Sequence, residues 1–82
     1  MSNFVVRFFA EFRRKRLLSG WKSLALSYRG MGETDHWIRA RITEYVYHKD
    51  ADESIVLKPN QTKDDYIEDI LSVLNESKTM SG

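Results

Sequence analysis

The stretch HWIRARITEYVYH, residues 36–48, decides the fold class of this chain. Apolar and polar positions alternate along it as in a strand with one buried face, and its β-branched and aromatic residues favour an extended backbone. The sequence therefore predicts a half-buried strand. Its two faces would carry Ile38, Ala40, Ile42 and Val46 on one side and Trp37, Arg39, Arg41, Thr43, Tyr45 and Tyr47 on the other.

A helix over the same stretch is the alternative interpretation. Thr34 is placed to act as an N-cap, and Asp35 would complement the helix dipole in the first turn. At 100° per residue, five apolar or aromatic side chains share one broad helical face. These five are Trp37, Ile38, Ile42, Tyr45 and Val46.

The segment that follows completes a predicted hairpin. Residues 50–54 are polar and typical of a turn. Residues 55–58 predict a short strand, which Pro59 would end because proline holds the preceding residue extended and has no amide hydrogen for a sheet ladder. Strand, turn and strand together predict a short antiparallel hairpin.

Residues 3–28 contain no proline and one glycine, which favours a helical segment. Two apolar stripes lie on nearly opposite sides of that helix, and one straight helix cannot bury both in one core. Either the chain breaks near residues 16–20, or the first stripe packs against something outside its own domain. Alternation over residues 3–12 also permits a strand there. The first stripe is Phe4, Val5, Phe8, Phe9 and Phe12, and the second is Leu17, Leu18, Trp21, Leu24, Ala25 and Tyr28.

The C-terminal part of the chain predicts an amphipathic helix. Thr62 is placed as its N-cap, and Asp64 and Asp65 fall in the first turn, where negative charge is favourable. The predicted fold is one α+β domain over residues 1–77, in which the two helical segments pack on the hairpin, with a disordered tail over residues 78–82. A small all-α bundle is the alternative. The apolar stripe of the last helix is Tyr66, Ile67, Ile70, Leu71 and Leu74.

Charge is unevenly distributed along the chain. Residues 1–49 hold ten Lys or Arg and four acidic residues, a net of +6, whereas residues 50–82 hold three and eight, a net of −5. The four consecutive cations at positions 13–16 are the densest part of the basic half. Such a separation favours contact with a polyanion, head-to-tail self-association or internal pairing of the two halves.

No pattern in the sequence predicts catalysis or metal binding. There is no cysteine, and no serine lies in the Gly-x-Ser-x-Gly turn of a hydrolase. His36 and His48 are too far apart for a helical ligand pair and lack a third ligand at zinc spacing. We therefore expect a non-enzymatic protein without cofactor or metal.

The sequence favours a docking protein, meaning a regulator, adaptor or inhibitor that occupies a surface of a macromolecular partner, with a protein as the favoured partner. Two aromatic stripes exceed what one small core absorbs, and segregated charge suits a charged partner. Nucleic-acid binding is the alternative, because the same cations can neutralise phosphates. The predicted contact residues are Phe8, Phe12, Arg13, Arg14, Lys15, Arg16, Arg39 and Arg41.

Two further partners and a location follow from the same residues. A homodimer that joins basic half to acidic half is a third hypothesis. Rings followed by cations are also typical of an interfacial helix, but the sequence disfavours membrane contact because the phenylalanines are the obvious apolar partners for the rest of the core. Arg7 interrupts the apolar opening, so we expect no signal peptide, and no apolar run approaches the roughly 20 residues of a membrane span. A cytoplasmic location is the expectation.

Overall fold

A computed structural model describes the backbone of residues 2–81 and the side chains of residues 7–76. Three α-helices follow one another along the chain, and a short 3₁₀ helix, Lys49–Ser54, precedes the third. No strand occurs among residues 2–81. The helices are α1, Ser2–Gly30; α2, Asp35–Tyr47; and α3, Lys63–Ser81.

The predicted α+β fold is therefore wrong, and the all-α alternative is correct. Residues 36–48 form most of α2 rather than a strand. Ile38, Ile42 and Val46 are fully buried. A spacing of four residues fits the period of a strand and approximates one turn of a helix, so these three residues could not distinguish the two structures. Ala40 does distinguish them, because a strand would bury it beside the other three, and in α2 it is exposed.

Local hydrogen bonds start α2 where the helical interpretation placed its N-cap. The Trp37 amide donates to the Thr34 hydroxyl at 3.1 Å, which satisfies one of the amides that a helix start leaves unpaired. With residues 36–47 helical, the apolar run at 55–58 has no neighbouring strand to pair with. Residues 55–58 have no regular secondary structure, and Ile55, whose backbone is extended, packs against the core.

α1 runs without a break from Ser2 to Gly30, so of the two alternatives for this segment the interruption near residues 16–20 does not occur. At about 1.5 Å per residue its 29 residues span roughly 43 Å, close to the 47 Å longest dimension of the molecule. Every residue from 7 to 13 is exposed, and Arg14 is the first buried residue of the described part. The N-terminal part of α1 therefore contributes little to the core.

The second half of α1 and both other helices form the core. From α1 it takes residues of the second predicted stripe, with Trp21, Leu24 and Tyr28 packed at its edge. α3 supplies the largest share, as its predicted stripe is entirely buried. The buried apolar residues are Leu18, Ala25, Ile38, Ile42, Val46, Tyr66, Ile67, Ile70, Leu71 and Leu74.

The predicted C-terminal helix is confirmed, and it begins with a reciprocal cap. The Asp65 amide donates to the Thr62 hydroxyl at 3.1 Å, and the Thr62 amide donates to the Asp65 carboxylate at 3.0 Å. The predicted disordered tail at residues 78–82 lies beyond the described side chains and stays a prediction.

Polar contacts fix the three helices relative to one another. The Arg29 guanidinium, at the end of α1, donates to the Leu74 carbonyl at 2.6 Å and to the Asp35 carboxylate at 2.5 Å, so it joins all three helices. Trp21 donates its indole N–H to the Ser54 carbonyl at 3.0 Å. This second bond fastens the segment between α2 and α3 onto α1.

The two candidate structures of residues 36–48 make opposite predictions for a lysine at position 40. In α2, Ala40 is exposed, so Ala40→Lys should change the free energy of unfolding by less than about 0.5 kcal/mol. Ile42→Lys should abolish folding, because it buries an unpaired charge. Urea unfolding followed by far-UV circular dichroism measures both. Equal disruption by the two substitutions would contradict the helix.

Candidate binding surface on the first helix

Three phenyl rings of α1 lie in solvent. Phe8, Phe9 and Phe12 are 62%, 63% and 61% exposed. The rings of Phe8 and Phe9 meet edge to face with their centroids 5.8 Å apart, and Phe12 follows Phe8 by about one turn. At 100° per residue, Phe9 and Phe12 lie on the far side of α1 from Leu18 and Ala25, the α1 residues in the core, and Phe8 lies at about a right angle to them. All three rings are exposed, and those of Phe9 and Phe12 point away from the core.

Exposed cations follow directly after the rings. The Arg13 guanidinium donates to the Glu53 carbonyl at 3.0 Å and remains exposed. Lys15 and Arg16 are exposed and form no hydrogen bond or ion pair with any residue whose side chain is described. We call the set of three rings and three cations the ring–cation surface. Its members are Phe8, Phe9, Phe12, Arg13, Lys15 and Arg16.

A groove continues from this surface along α1. Its first part, of about 420 Å³, is lined by Phe9, Phe12, Arg13, Arg16 and Leu17. The second part, of about 290 Å³, shares Leu17 and is lined also by Gly20, Trp21, Leu24 and Ser54.

Gly20 has no packing role within the described chain. A Cβ atom added there would meet nothing within 4 Å, so the missing side chain leaves open space in the groove. Glycine inside a helix costs about 1 kcal/mol relative to alanine. The domain therefore carries a local destabilisation that its own packing does not explain.

Arg14, which the sequence grouped with its neighbours as a contact residue, lies apart from the ring–cation surface. It is only 6% exposed. Its guanidinium donates to both carboxylate oxygens of Glu11, at 2.8 and 3.2 Å, and this hydrogen bonding lowers the pKa of Glu11. Arg14 is therefore a structural residue whose charge is already paired.

Arg14 also faces a buried polar region on α3. The hydroxyl of Tyr66 is buried and has no hydrogen-bond partner among the described residues, and burial raises its pKa. The charges of Arg14 and Asp69 act on this hydroxyl in opposite directions. Asp69 accepts a hydrogen bond from the Gln61 side chain at 2.9 Å. Position 14 is the one buried member of the four consecutive cations.

Arg39 and Arg41, also predicted as contact residues, are engaged within α2 and α3. Arg39 donates to both carboxylate oxygens of Glu68, at 2.5 and 3.2 Å, and the hydrogen bond lowers the pKa of Glu68. The guanidinium of Arg41 lies 5.1 Å from the ring centroid of Trp37 and 5.8 Å from that of Tyr45. Neither arginine forms a hydrogen bond, ion pair or ring contact with the ring–cation surface, where side chains are described.

Sequence reasoning missed two features of this surface. Phe9 belongs to the same stripe as Phe8 and Phe12, so the spacing was sufficient to include it. No residue pattern in the sequence indicated the groove around Gly20. Trp21 and Leu24 fell in the stripe assigned to the core, and only the packing shows that both are half-buried and line a groove as well.

Neither a metal-binding cluster nor a membrane-spanning helix occurs among the described residues. Within the part of the chain whose side chains are described, no three His, Asp or Glu residues are placed to hold a metal ion. No helix of the described chain combines the length and apolar character needed to cross a bilayer. Neither a protein-family model, a curated protein nor a solved structure matches the chain.

Arg14 is buried and Arg16 is exposed, so the two should contribute differently to the free energy of unfolding. Arg14→Ala removes a buried side chain with its ion pair and should lower the free energy of unfolding by about 1–3 kcal/mol. Arg16→Ala removes an exposed, unpaired side chain and should change it by less than about 0.5 kcal/mol. Urea unfolding measures both, and equal values would contradict the separation of Arg14 from the surface.

Proposed function

We propose that this protein is a non-enzymatic docking protein, a regulator, adaptor or inhibitor that attaches to a macromolecular partner through its ring–cation surface. The observation that carries the proposal is the exposure of Phe8, Phe9 and Phe12 on a domain whose core forms without them. Apolar side chains gathered on one face of a folded domain are typical of a binding surface.

The size of the apolar patch supports this function. A phenylalanine carries about 150–250 Å² of surface, so three rings at about 60% exposure leave roughly 300–450 Å² in solvent. The largest apolar patch on a typical monomer is of that order and is often functional. Here the patch comes from adjacent aromatic rings, the side chains that most often anchor an interface.

The charge beside the rings favours an anionic partner. Lys15 and Arg16 are unpaired within the described chain, and Arg13 donates only to a backbone carbonyl. Free cations at the edge of an apolar patch steer an oppositely charged partner toward it. The sequence favours a protein as that partner, with nucleic acid as the alternative. The absence of catalysis and a cytoplasmic location remain parts of this proposal.

Docking predicts that the rings determine whether the protein is free or attached in its native host. In velocity sedimentation of a host lysate, the wild-type chain should move with larger species. The Phe8→Ser, Phe12→Ser double variant should sediment as free protein, because serine removes the apolar contact and leaves the charges in place. Far-UV circular dichroism confirms that both proteins are folded.

Met31→Ser is the matched control, because Met31 is 72% exposed and lies outside the ring–cation surface. It should sediment like wild type. Attachment that nuclease abolishes would support the nucleic-acid alternative over the protein partner. A wild-type chain that sediments as free protein, or attachment that survives the double substitution, would contradict docking through these rings.

A further inference from the structure

We infer that the ring–cation surface docks onto an anionic lipid bilayer as a peripheral contact. The inference rests on the proposed function and names a different partner from the protein that the sequence favours. Four observations support a lipid surface: the completeness of the core, the direction of the rings, the position of the cations and the pairing of the nearest carboxylate.

Because the core is complete without the phenylalanines, the sequence-based argument against membrane contact no longer applies. The sequence disfavours lipid contact only because the phenylalanines would be needed to cover the other apolar residues. In the structure, α2 and α3 are covered by one another and by the second half of α1, around Leu18 and Ala25. Phe8, Phe9 and Phe12 take no part in that cluster. They are available to an external apolar phase.

The rings lie on an exposed part of α1. All residues from 7 to 13 are exposed, and Phe9 and Phe12 lie on the side of α1 away from its core-facing residues. A bilayer receives exposed rings without any matching cavity, whereas a protein partner must supply a surface of complementary shape. A helix that lies at an interface places its apolar face at the boundary of the acyl chains.

The cations occupy the position that lipid headgroups require. Arg13, Lys15 and Arg16 follow the rings within about one turn, so rings buried at the acyl boundary would leave these groups near the phosphates. Each cation near an anionic membrane strengthens binding by about fivefold. The nearest acid, Glu11, is held by Arg14 and offers little repulsion.

A second copy of the chain fits this surface less well. The ring–cation surface contains no carboxylate, so two such surfaces face to face would bring six cations together. On the acidic half, Glu68 already pairs with Arg39, and Asp52 with Lys63. Single-stranded nucleic acid could bind the cations through its phosphates and the rings through its bases. A ring-dependent oligonucleotide complex is therefore a competing outcome of the test.

The test is co-sedimentation of the full chain with two sets of vesicles, one of phosphatidylcholine and one containing about 30 mol% phosphatidylglycerol. At about 0.1 M salt the wild type should bind the anionic vesicles at least tenfold more tightly than the neutral ones. The Phe8→Ser, Phe12→Ser double variant should lose about tenfold or more in binding. Lys15→Glu with Arg16→Glu should lose a similar amount on anionic vesicles only.

Two control variants distinguish binding through the ring–cation surface from nonspecific hydrophobic or electrostatic binding. Met31→Ser removes an exposed apolar side chain elsewhere, and Lys49→Glu reverses an exposed charge on the 3₁₀ helix. Both should bind the anionic vesicles within about twofold of wild type. Thermal unfolding of each variant, followed by circular dichroism, confirms that it is folded.

Several results would overturn the lipid assignment. These are equal binding to both vesicle types, binding insensitive to the phenylalanine substitutions, and a ring-dependent dimer or oligonucleotide complex formed without vesicle binding. If the chain does not bind vesicles but its ring-dependent sedimentation in a lysate persists, the docking function is supported and the lipid partner is contradicted. If ring-dependent sedimentation is also absent, the docking function falls with it.

Discussion

A single helix buries one face against its own domain, and α1 carries apolar residues on two. Because the helix continues without a break to Gly30, the side occupied by Leu18 and Ala25 lies in the core and the side occupied by the phenyl rings stays in solvent. The ring–cation surface is thus a consequence of both the periodicity of α1 and its length, because residues 7–13 are exposed on every side of the helix. A break in the helix would have allowed its first half to fold back and cover the rings with the domain itself.

The cations, like the apolar residues of α1, divide into two groups: some bind other parts of the domain, and others form no ion pair within the described chain. Arg39 of α2 is matched by an acid of α3, and Arg29 joins α1 to both other helices. The net charges of the two halves of the sequence are therefore partly neutralised inside the domain. Lys15 and Arg16 are among the cations that form no ion pair within the described chain, and these two lie directly after Phe12, beside the rings. Rings and cations together make this surface suitable for an anionic, partly apolar partner.

The sequence predicted the parts of this fold whose signals are local. The Thr62 cap and the stripe of α3 depend on neighbours in the chain and are confirmed. The secondary structure of residues 36–48 could not be predicted from the spacing of the buried residues, because a four-residue spacing fits a strand and a helix equally well. The rings could be predicted to exceed one core, but the burial of Arg14 arises from the packing of α1 on the other helices. No pattern within α1 distinguishes Arg14 from the three exposed cations beside it.

The most direct test of the account compares how much stability the two faces of α1 contribute. Leu18→Ala should lower the free energy of unfolding by about 2–5 kcal/mol, because it leaves a cavity in the core. Phe12→Ala should lower it by less than about 0.5 kcal/mol, since its ring is exposed before and after folding. Urea unfolding of the isolated chain measures both. A loss for Phe12→Ala as large as that for Leu18→Ala would show that the ring is buried in the domain, and the proposed binding surface would not exist.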